Sequence, residues 1–206
     1  MIKCDVKVCG VVSRSAIPLV NARGEKRMEM LVKVGVNTRD SDEKNFAEIV
    51  VVQPGEYDAQ LAEIKEGERV DLRGEMTFSR KNEDLVLHLA LEYYQRASEL
   101  SWDDIDGTLY FDGRVRRECG VELRSARSGS SYHQFSAFAV EKRPDGNKPD
   151  YIWVRFFMFQ HPESWLQAGS RVKVVGSLGI HYHKNWQGKE VLNLTCRVDE
   201  VEKGGE

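Results

Sequence analysis

The chain has few cysteines, few prolines and no metal-binding cysteine motif. Its 206 residues include five prolines and four cysteines, which are Cys4, Cys9, Cys119 and Cys196. No two cysteines form a C-x-x-C pair, so the common zinc and dithiol redox motifs are missing. We therefore expect four reduced thiols, buried or half-buried, rather than a disulfide framework.

Long apolar segments are also missing. No apolar run approaches the roughly 18 residues that a membrane-spanning helix requires. The first ten residues, MIKCDVKVCG, do not have the pattern of a signal peptide. The sequence thus predicts a cytoplasmic protein with no membrane partner, and its 41% hydrophobic residues are enough for ordinary protein cores.

Motifs of enzymes are not found either. The chain contains no nucleophile elbow, no phosphate-binding loop and no paired acids, so we predict that it is not an enzyme and needs no cofactor. His181 and His183 share one face of a predicted strand and could bind a metal together with His133 or His161. No carboxylate or cysteine completes a recognisable ligand set, and we therefore predict no metal site.

Charge and aromatic residues are distributed unevenly along the chain. The net charge of -3 divides into -2 over residues 1–96, -4 over 97–106 and +3 over 107–206. Of the 19 aromatic residues, 13 lie in 107–206. Basic charge combined with aromatic rings is typical of a surface that binds nucleic acid. The alternative is that these rings simply fill a hydrophobic core, and at least half of them must do so.

The first half shows an alternation typical of strands, interrupted by one helical stretch. Apolar residues at every second position predict the strands, and Leu61 and Ile64 at helical spacing predict a short helix over 57–65 that ends at Gly67. A polar loop is predicted over 38–45. The predicted strands are 5–13, 27–37, 46–52, 68–79 and 85–94.

The second half repeats this order. A helix is predicted to open at Pro162–Leu166 and to close at Gly169, and residues 181–190 are predicted to form a long hairpin. The predicted strands are 107–115, 128–140, 150–159, 171–180 and 191–198.

A short internal repeat supports two copies of one domain. EGERVDLRGE at 66–75 aligns without a gap to AGSRVKVVGS at 168–177, and both contain Gly-x-Arg-Val-x-x-x-Gly. We predict an all-β chain with two tandem five-stranded OB-fold barrels, each with a short helix between its third and fourth strands. The predicted division is a domain at 1–96, an acidic linker at 97–106 and a domain at 107–206.

Several stretches of the second half resemble the bacterial-type single-stranded DNA-binding (SSB) family of OB folds. They are FDGRV, VELRSARSG, QFSAFAVEKR, YIWVRFFMF and AGSRVKVVGSLGIHYHKNWQGKEVLNLTCRVDEV, within residues 107–201. The first half resembles this family only through the repeat. The resemblance implies binding of single-stranded DNA without sequence preference, through base stacking and phosphate contacts, in DNA replication, recombination or repair.

The resemblance also implies which residues bind. Trp153 and Phe159 match stacking rings of the third strand, and Arg143 stands where a further ring often lies. One more aromatic contact is expected from the hairpin, where the candidates are Tyr182, His183 and Trp186. The basic side chains expected to contact phosphate are Lys142, Arg155, Lys173 and Lys184.

Two functional hypotheses from different classes follow from the sequence. In the first, the 107–206 domain binds single-stranded DNA, while the acidic 1–96 domain, which has few aromatic rings, is a scaffold for oligomerisation or protein docking. A homo-oligomer, with a dimer favoured, and replication or repair proteins are then the expected partners. In the second, the tandem barrels form an assembly subunit of a replication or conjugation complex with little affinity for DNA. Stacking and phosphate contacts do not distinguish DNA from RNA.

Overall fold

The chain divides into two compact units, each of which contains one barrel. The computed structural model describes residues 1–20, 24–38, 41–82, 84–126, 129–142, 148–185 and 187–205. The first unit comprises Asp5–Gly107 and His181–Leu192. The second unit comprises Met1–Cys4, Thr108–Ile180 and Asn193–Glu206.

The first unit is built on a closed five-stranded sheet. Its strands follow the order β2-β3-β5-β4-β1, and pairing of β1 with β2 closes the barrel. The elements are β1 (Ile2–Val20), β2 (Lys26–Thr38), β3 (Ser41–Pro54), α1 (Ala59–Ala62), β4 (Arg69–Lys81) and β5 (Asp84–Arg96).

The second unit has the same architecture. The elements are β6 (Asp104–Val115), β7 (Glu122–Ser125), β8 (Ser131–Glu141), β9 (Asp150–Met158), β10 (Arg171–Lys184) and β11 (Glu190–Lys203). The order β6-β10-β11-β9-β8 closes through pairing of β6 with β8, and β7 adds a short strand beside β8. Both units are therefore five-stranded barrels of the predicted OB type.

The sequence repeat corresponds to a repeat of backbone geometry. The Gly67 N–H donates to the Val12 carbonyl at 2.9 Å, and the Gly169 N–H donates to the Val115 carbonyl at 3.2 Å. Both glycines have left-handed backbone angles, with φ of +90° and +82°. Because a side chain is strained at such angles, glycine recurs where β4 and β10 begin.

The two barrel cores differ in composition. In the first barrel, β2 contributes Met28, Met30, Val32 and Val34, all buried. In the second barrel the core is aromatic. Phe156 is fully buried, stacks on Phe135 with ring centroids 4.9 Å apart, and meets the ring of Phe111 edge-on at 5.0 Å. The expectation that at least half of the 13 rings fill the core is wrong, because Phe111, Phe135 and Phe156 are the three buried ones among those that the structure describes.

The predicted polar loop at 38–45 is wrong in extent. β2 and β3 pair continuously from Arg27 opposite Pro54 to Thr38 opposite Ser41, with one register shift near the end. The hydrogen bonds of a strand pair come from the backbone, so charged side chains do not prevent pairing where they remain in water. The polarity of this stretch therefore misled the prediction.

The helices are shorter than predicted, and the one expected at Pro162–Leu166 does not form. In the first barrel the Asp58 carboxylate accepts hydrogen bonds from the N–H groups of Gln60 and Leu61, at 2.9 and 3.1 Å, and so caps the single turn α1. In the second barrel Glu163 instead accepts from the Trp165 indole at 2.7 Å. This segment forms turns only.

None of the helical structure within the described ranges has the length and apolar character needed to cross a membrane. All four cysteines are free thiols. Cys4 and Cys196 are buried, whereas Cys119 is exposed. Burial raises the pKa of Cys196 to about 12, so this thiol stays protonated at neutral pH.

Segment 97–103, within the predicted acidic linker, makes hydrogen bonds to the first barrel. The Ala97 N–H donates to the Arg69 carbonyl at 2.9 Å. The Asp103 carboxylate accepts from the Gly35 N–H at 2.7 Å and pairs with the Arg69 guanidinium. β6 then begins at Asp104, inside the predicted linker. Leu100 and Trp102 do not pack on a barrel, since they are 89% and 82% exposed.

Gly176 provides a test of how tightly β10 and β11 approach. A Cβ at this position would overlap the Arg197 carbonyl oxygen and lie 2.7 Å from the Cys196 sulfur. We expect Gly176→Ala to lower the free energy of unfolding by about 1–3 kcal/mol, measured by chemical denaturation. Gly205→Ala is the matched control, because nothing lies within 4 Å of its added Cβ. Equal stability of the two variants would contradict the close approach.

Candidate nucleic-acid interface

Strand β9 directs one set of side chains into the barrel and the other set outward. Ile152, Val154, Phe156 and Met158 are buried, because alternate residues of a strand face opposite sides. The outward set is Tyr151, Trp153, Arg155 and Phe157, with Phe159 just after the strand. Tyr151, Trp153 and Phe159 are 50%, 41% and 58% exposed.

The neighbouring strand β8 adds rings to the same side. Phe138 lies opposite Trp153 in the strand register, with ring centroids 5.0 Å apart, and is 5.5 Å from Tyr151. Tyr132 lies 5.8 Å from Phe157 and 6.1 Å from Phe159. We call these six rings the aromatic face, whose members are Tyr132, Phe138, Tyr151, Trp153, Phe157 and Phe159.

Guanidinium groups flank the aromatic face at both ends. The Arg116 guanidinium carbon is 5.9 Å from the Trp153 ring centroid, and that of Arg197 is 5.7 Å from the Phe159 centroid. Arg155 lies between the two ring clusters, opposite Ser136. Guanidinium groups bind phosphate oxygens and also stack on rings. These positions therefore combine the phosphate contacts and the stacking contacts that suit a single-stranded nucleic acid.

A groove of about 660 Å³ opens beside Trp153. Its lining includes Arg114, Arg116, Arg117, Glu118, Phe138, Tyr151 and Trp153, and we call it the arginine groove. Arg114 faces it from the end of β6, where it pairs in register with Phe138.

One ion pair lies within the arginine groove. The Arg116 Nε donates to a Glu118 carboxylate oxygen at 2.8 Å. This hydrogen bond raises the pKa of the Arg116 guanidinium and lowers the pKa of the Glu118 carboxyl. Both groups are therefore charged at neutral pH.

No group of three metal-ligating side chains occurs in the part of the chain that the structure describes. Outside this face, His133 and His161 lie with ring centroids 5.4 Å apart. The aromatic face and arginine groove offer flat apolar rings and fixed positive charge, which suit bases and phosphates.

Among the described residues of β2 and β3, the first barrel does not carry an equivalent set of rings. A Cβ on Gly10 would meet the Lys33 carbonyl, as one on Gly113 would meet the Phe138 carbonyl, so Lys33 and Phe138 hold corresponding positions. Opposite them lie Glu48 and Trp153. A Lys–Glu pair thus replaces the central Phe–Trp pair. The outward neighbours on β2 and β3 are Glu29, Leu31, Val50 and Val52, with Phe46 as the one ring.

The structure brings three of the predicted site residues together. Trp153, Arg155 and Phe159 all lie on the outward side of the β9 segment, with Arg155 half-buried. Lys142 is exposed immediately after β8. Lys173 is exposed on β10, in register with Asp112 of β6, and does not line the arginine groove.

The hairpin candidates make their contacts within the first unit. The Tyr182 hydroxyl donates to the Phe46 carbonyl at 3.2 Å, and the Tyr182 backbone pairs with Thr38. Burial, together with the nearby Asp84 and Glu190, raises the pKa of Tyr182. His183 is half-buried with its Nδ1 3.3 Å from the Val191 carbonyl oxygen.

The rest of the hairpin adds polar contacts to the same unit. Lys189 pairs with Asp84 at 2.8 Å, and Asn45 donates to Glu190 at 2.9 Å. Lys184 is exposed. Trp186 and Arg143 lie outside the described residues, so their predicted roles remain predictions.

Sequence reasoning missed much of the aromatic face. The missed residues are Tyr132, Phe138, Tyr151, Phe157, Arg114, Arg116 and Arg197. The sequence did indicate the residues of β9, because Tyr151 and Phe157 lie an even number of positions from Trp153 and therefore face the same side of the strand. For Arg116 no local signal exists, because only barrel closure brings the end of β6 to Trp153.

The fold and its outward rings define a tandem OB-fold protein, and solved structures share this architecture. Wild-type single-stranded DNA-binding protein from Thermus aquaticus matches with a TM-score of 0.51 at 11% identity, over 98% of this chain and 93% of that chain. A deletion variant of the same protein gives 0.50 at 12% identity, over 98% and 95%. The predicted relationship to SSB-type OB folds is thus confirmed at the level of the fold.

A Plasmodium falciparum SSB complexed with single-stranded DNA matches 52% of this chain and 96% of its own, at 20% identity and a TM-score of 0.34. No protein-family model matches the sequence. No curated protein matches it either.

Proposed function

We propose that this protein binds single-stranded DNA without sequence preference, on the outer side of β8 and β9. The observation that carries the proposal is the aromatic face, six rings in two clusters with a guanidinium group at each end. Such rings are half-buried or exposed on a barrel whose core is already filled by Phe111, Phe135 and Phe156. Core packing therefore does not explain them.

The geometry favours stacking over base-specific contacts. Each base has a flat face that stacks on any ring, whereas sequence readout requires donors and acceptors aimed at base edges. The guanidinium groups of Arg116 and Arg197 lie over rings of this face, and such groups bind phosphates, which are common to all nucleotides. Binding should therefore depend weakly on sequence and strongly on salt.

The scaffold role of the first barrel belongs to the same proposal. Lys33 and Glu48 replace the stacking pair, and the Glu29 carboxylate accepts from Arg14 and Arg27 at 2.9 and 3.0 Å. The ion pairs of Glu29 and the charged Lys33 and Glu48 side chains leave that face with few groups on which a base can stack. We further propose that this barrel supports dimerisation or the docking of replication, recombination or repair proteins.

The direct test is a fluorescence titration of the full chain with oligo-dT at low and moderate salt. Stacking on Trp153 should quench its fluorescence, and the slope of log affinity against log salt should be about -0.7 for each phosphate contacted. Oligo-rU and a mixed-sequence DNA serve as comparisons for sugar and sequence preference. Absence of quenching and of a mobility shift at low salt would contradict the proposal and favour the protein-assembly role.

A further inference from the structure

The arginine groove contains one carboxylate among the described residues that line it. Glu118 stands beside Arg114, Arg116 and Arg117, in a place where a phosphate would be attracted. Its carboxylate holds Arg116 at 2.8 Å, with the two side chains 70% and 50% exposed. An acid at this position opposes the binding of a polyanion, so its presence needs an explanation.

Arg116 also occupies the space above Trp153. Its guanidinium carbon lies 5.9 Å from the ring centroid. Stacked aromatic partners have centroids about 4.5–7 Å apart, so the guanidinium takes volume that a base stacked on this side of the indole would need. A base can stack there only if Arg116 moves.

We propose that Glu118 retains Arg116 over Trp153 in the free protein and releases it to a phosphate of the incoming strand, which makes Glu118 the residue that limits affinity. This inference rests on the proposed function. Exposed ion pairs are weak, so a phosphate can replace the carboxylate as the partner of the guanidinium. The freed carboxylate remains in the groove and repels the bound strand, which favours rapid release.

The predicted consequence is a gain of affinity when the charge of Glu118 is removed. Glu118→Gln keeps the size of the side chain but loses the ion pair and the repulsion. We expect about 3- to 10-fold tighter binding of oligo-dT at low salt, and a salt slope steeper by about 0.7, because binding to the variant does not free a carboxylate that takes up a cation. Fluorescence titration of the full chain measures both.

Asp112→Asn is the matched control. Asp112 holds Arg171 through two contacts of 3.1 and 3.3 Å in the same unit, and it does not line the arginine groove. This variant changes the net charge by the same amount, and we expect less than about a twofold gain in affinity from it. Equal gains in the two variants would show a net-charge effect only and would overturn the role of Glu118.

A double-mutant cycle tests whether the effect of Glu118 on affinity depends on Arg116. In an Arg116→Ala background, Glu118→Gln should keep only the part of its gain that comes from removing the repulsion, because the guanidinium that Glu118 retains is absent. A full gain of affinity in that background would overturn the proposed transfer of Arg116 from Glu118 to a phosphate. If the wild-type chain binds oligo-dT and Glu118→Gln does not change its affinity, the inference fails while the proposed function stands. If the wild-type chain does not bind at all, both fail.

Discussion

Trp153→Ala should weaken the binding of oligo-dT by roughly 10- to 100-fold, since one stacked base contributes about 1–3 kcal/mol. The indole is 41% exposed, contacts Phe138 at 5.0 Å and lies under Arg116 at 5.9 Å. Its removal thus eliminates a stacking surface and the support of a phosphate-binding group together. Affinity measured by fluorescence anisotropy of labelled oligo-dT gives the result without relying on tryptophan emission.

Trp102→Ala is the control for this substitution. Trp102 is 82% exposed in segment 97–103 and is not part of the aromatic face. Its replacement removes the same ring without changing the proposed site, and the affinity should stay within about twofold. An equal loss in both variants would show that the binding surface is not the one described.

Phe156→Ala and Phe157→Ala should have opposite consequences although the residues are adjacent. Phe156 is fully buried between Phe111 and Phe135, and its truncation should lower the free energy of unfolding by about 3–5 kcal/mol. That loss is a large part of the roughly 5–15 kcal/mol that stabilises a typical domain. Phe157 faces outward beside Tyr132, so its truncation should mainly weaken DNA binding.

Chemical denaturation and anisotropy titration on both variants separate the two roles. For Phe157→Ala we expect a stability change within about 1 kcal/mol and a binding loss of about 1–3 kcal/mol. Conversely, folded Phe156→Ala at low temperature should retain most of its affinity. Severe unfolding of Phe157→Ala would place this ring in the core and remove it from the aromatic face.

Where the sequence predicted correctly, the relevant information was local or periodic. Alternation in YIWVRFFMF indicated a strand with one buried and one outward side, and the repeated Gly-x-Arg-Val-x-x-x-Gly indicated two copies of one barrel. Positions such as Gly67 and Gly169 carry this information in single residues, because left-handed backbone angles favour glycine. These features depend on the backbone of a few neighbouring residues and can therefore be predicted without knowledge of the tertiary structure.

Where prediction failed, the structure depended on strand pairing and side-chain contacts that the polarity and spacing of the residues did not indicate. The loop at 38–45 is largely strand because β2 and β3 continue to pair, and the segment at Pro162–Leu166 forms turns in place of the expected helix. Tyr182, one of the three hairpin candidates for an aromatic contact, donates its hydroxyl hydrogen to the Phe46 carbonyl of the first unit, a contact that the sequence did not predict. Periodicity does not say which partner an outward ring meets.

The sequence by itself determined the all-β class, the two barrels and the concentration of rings and basic charge in the second half. Only the tertiary structure decided that Phe138 lies opposite Trp153, that Arg116 lies over the indole, and that Glu118 holds Arg116 there. The physical reason is barrel closure. Strand pairing between distant segments sets which side chains meet, and no local pattern of residues encodes that register.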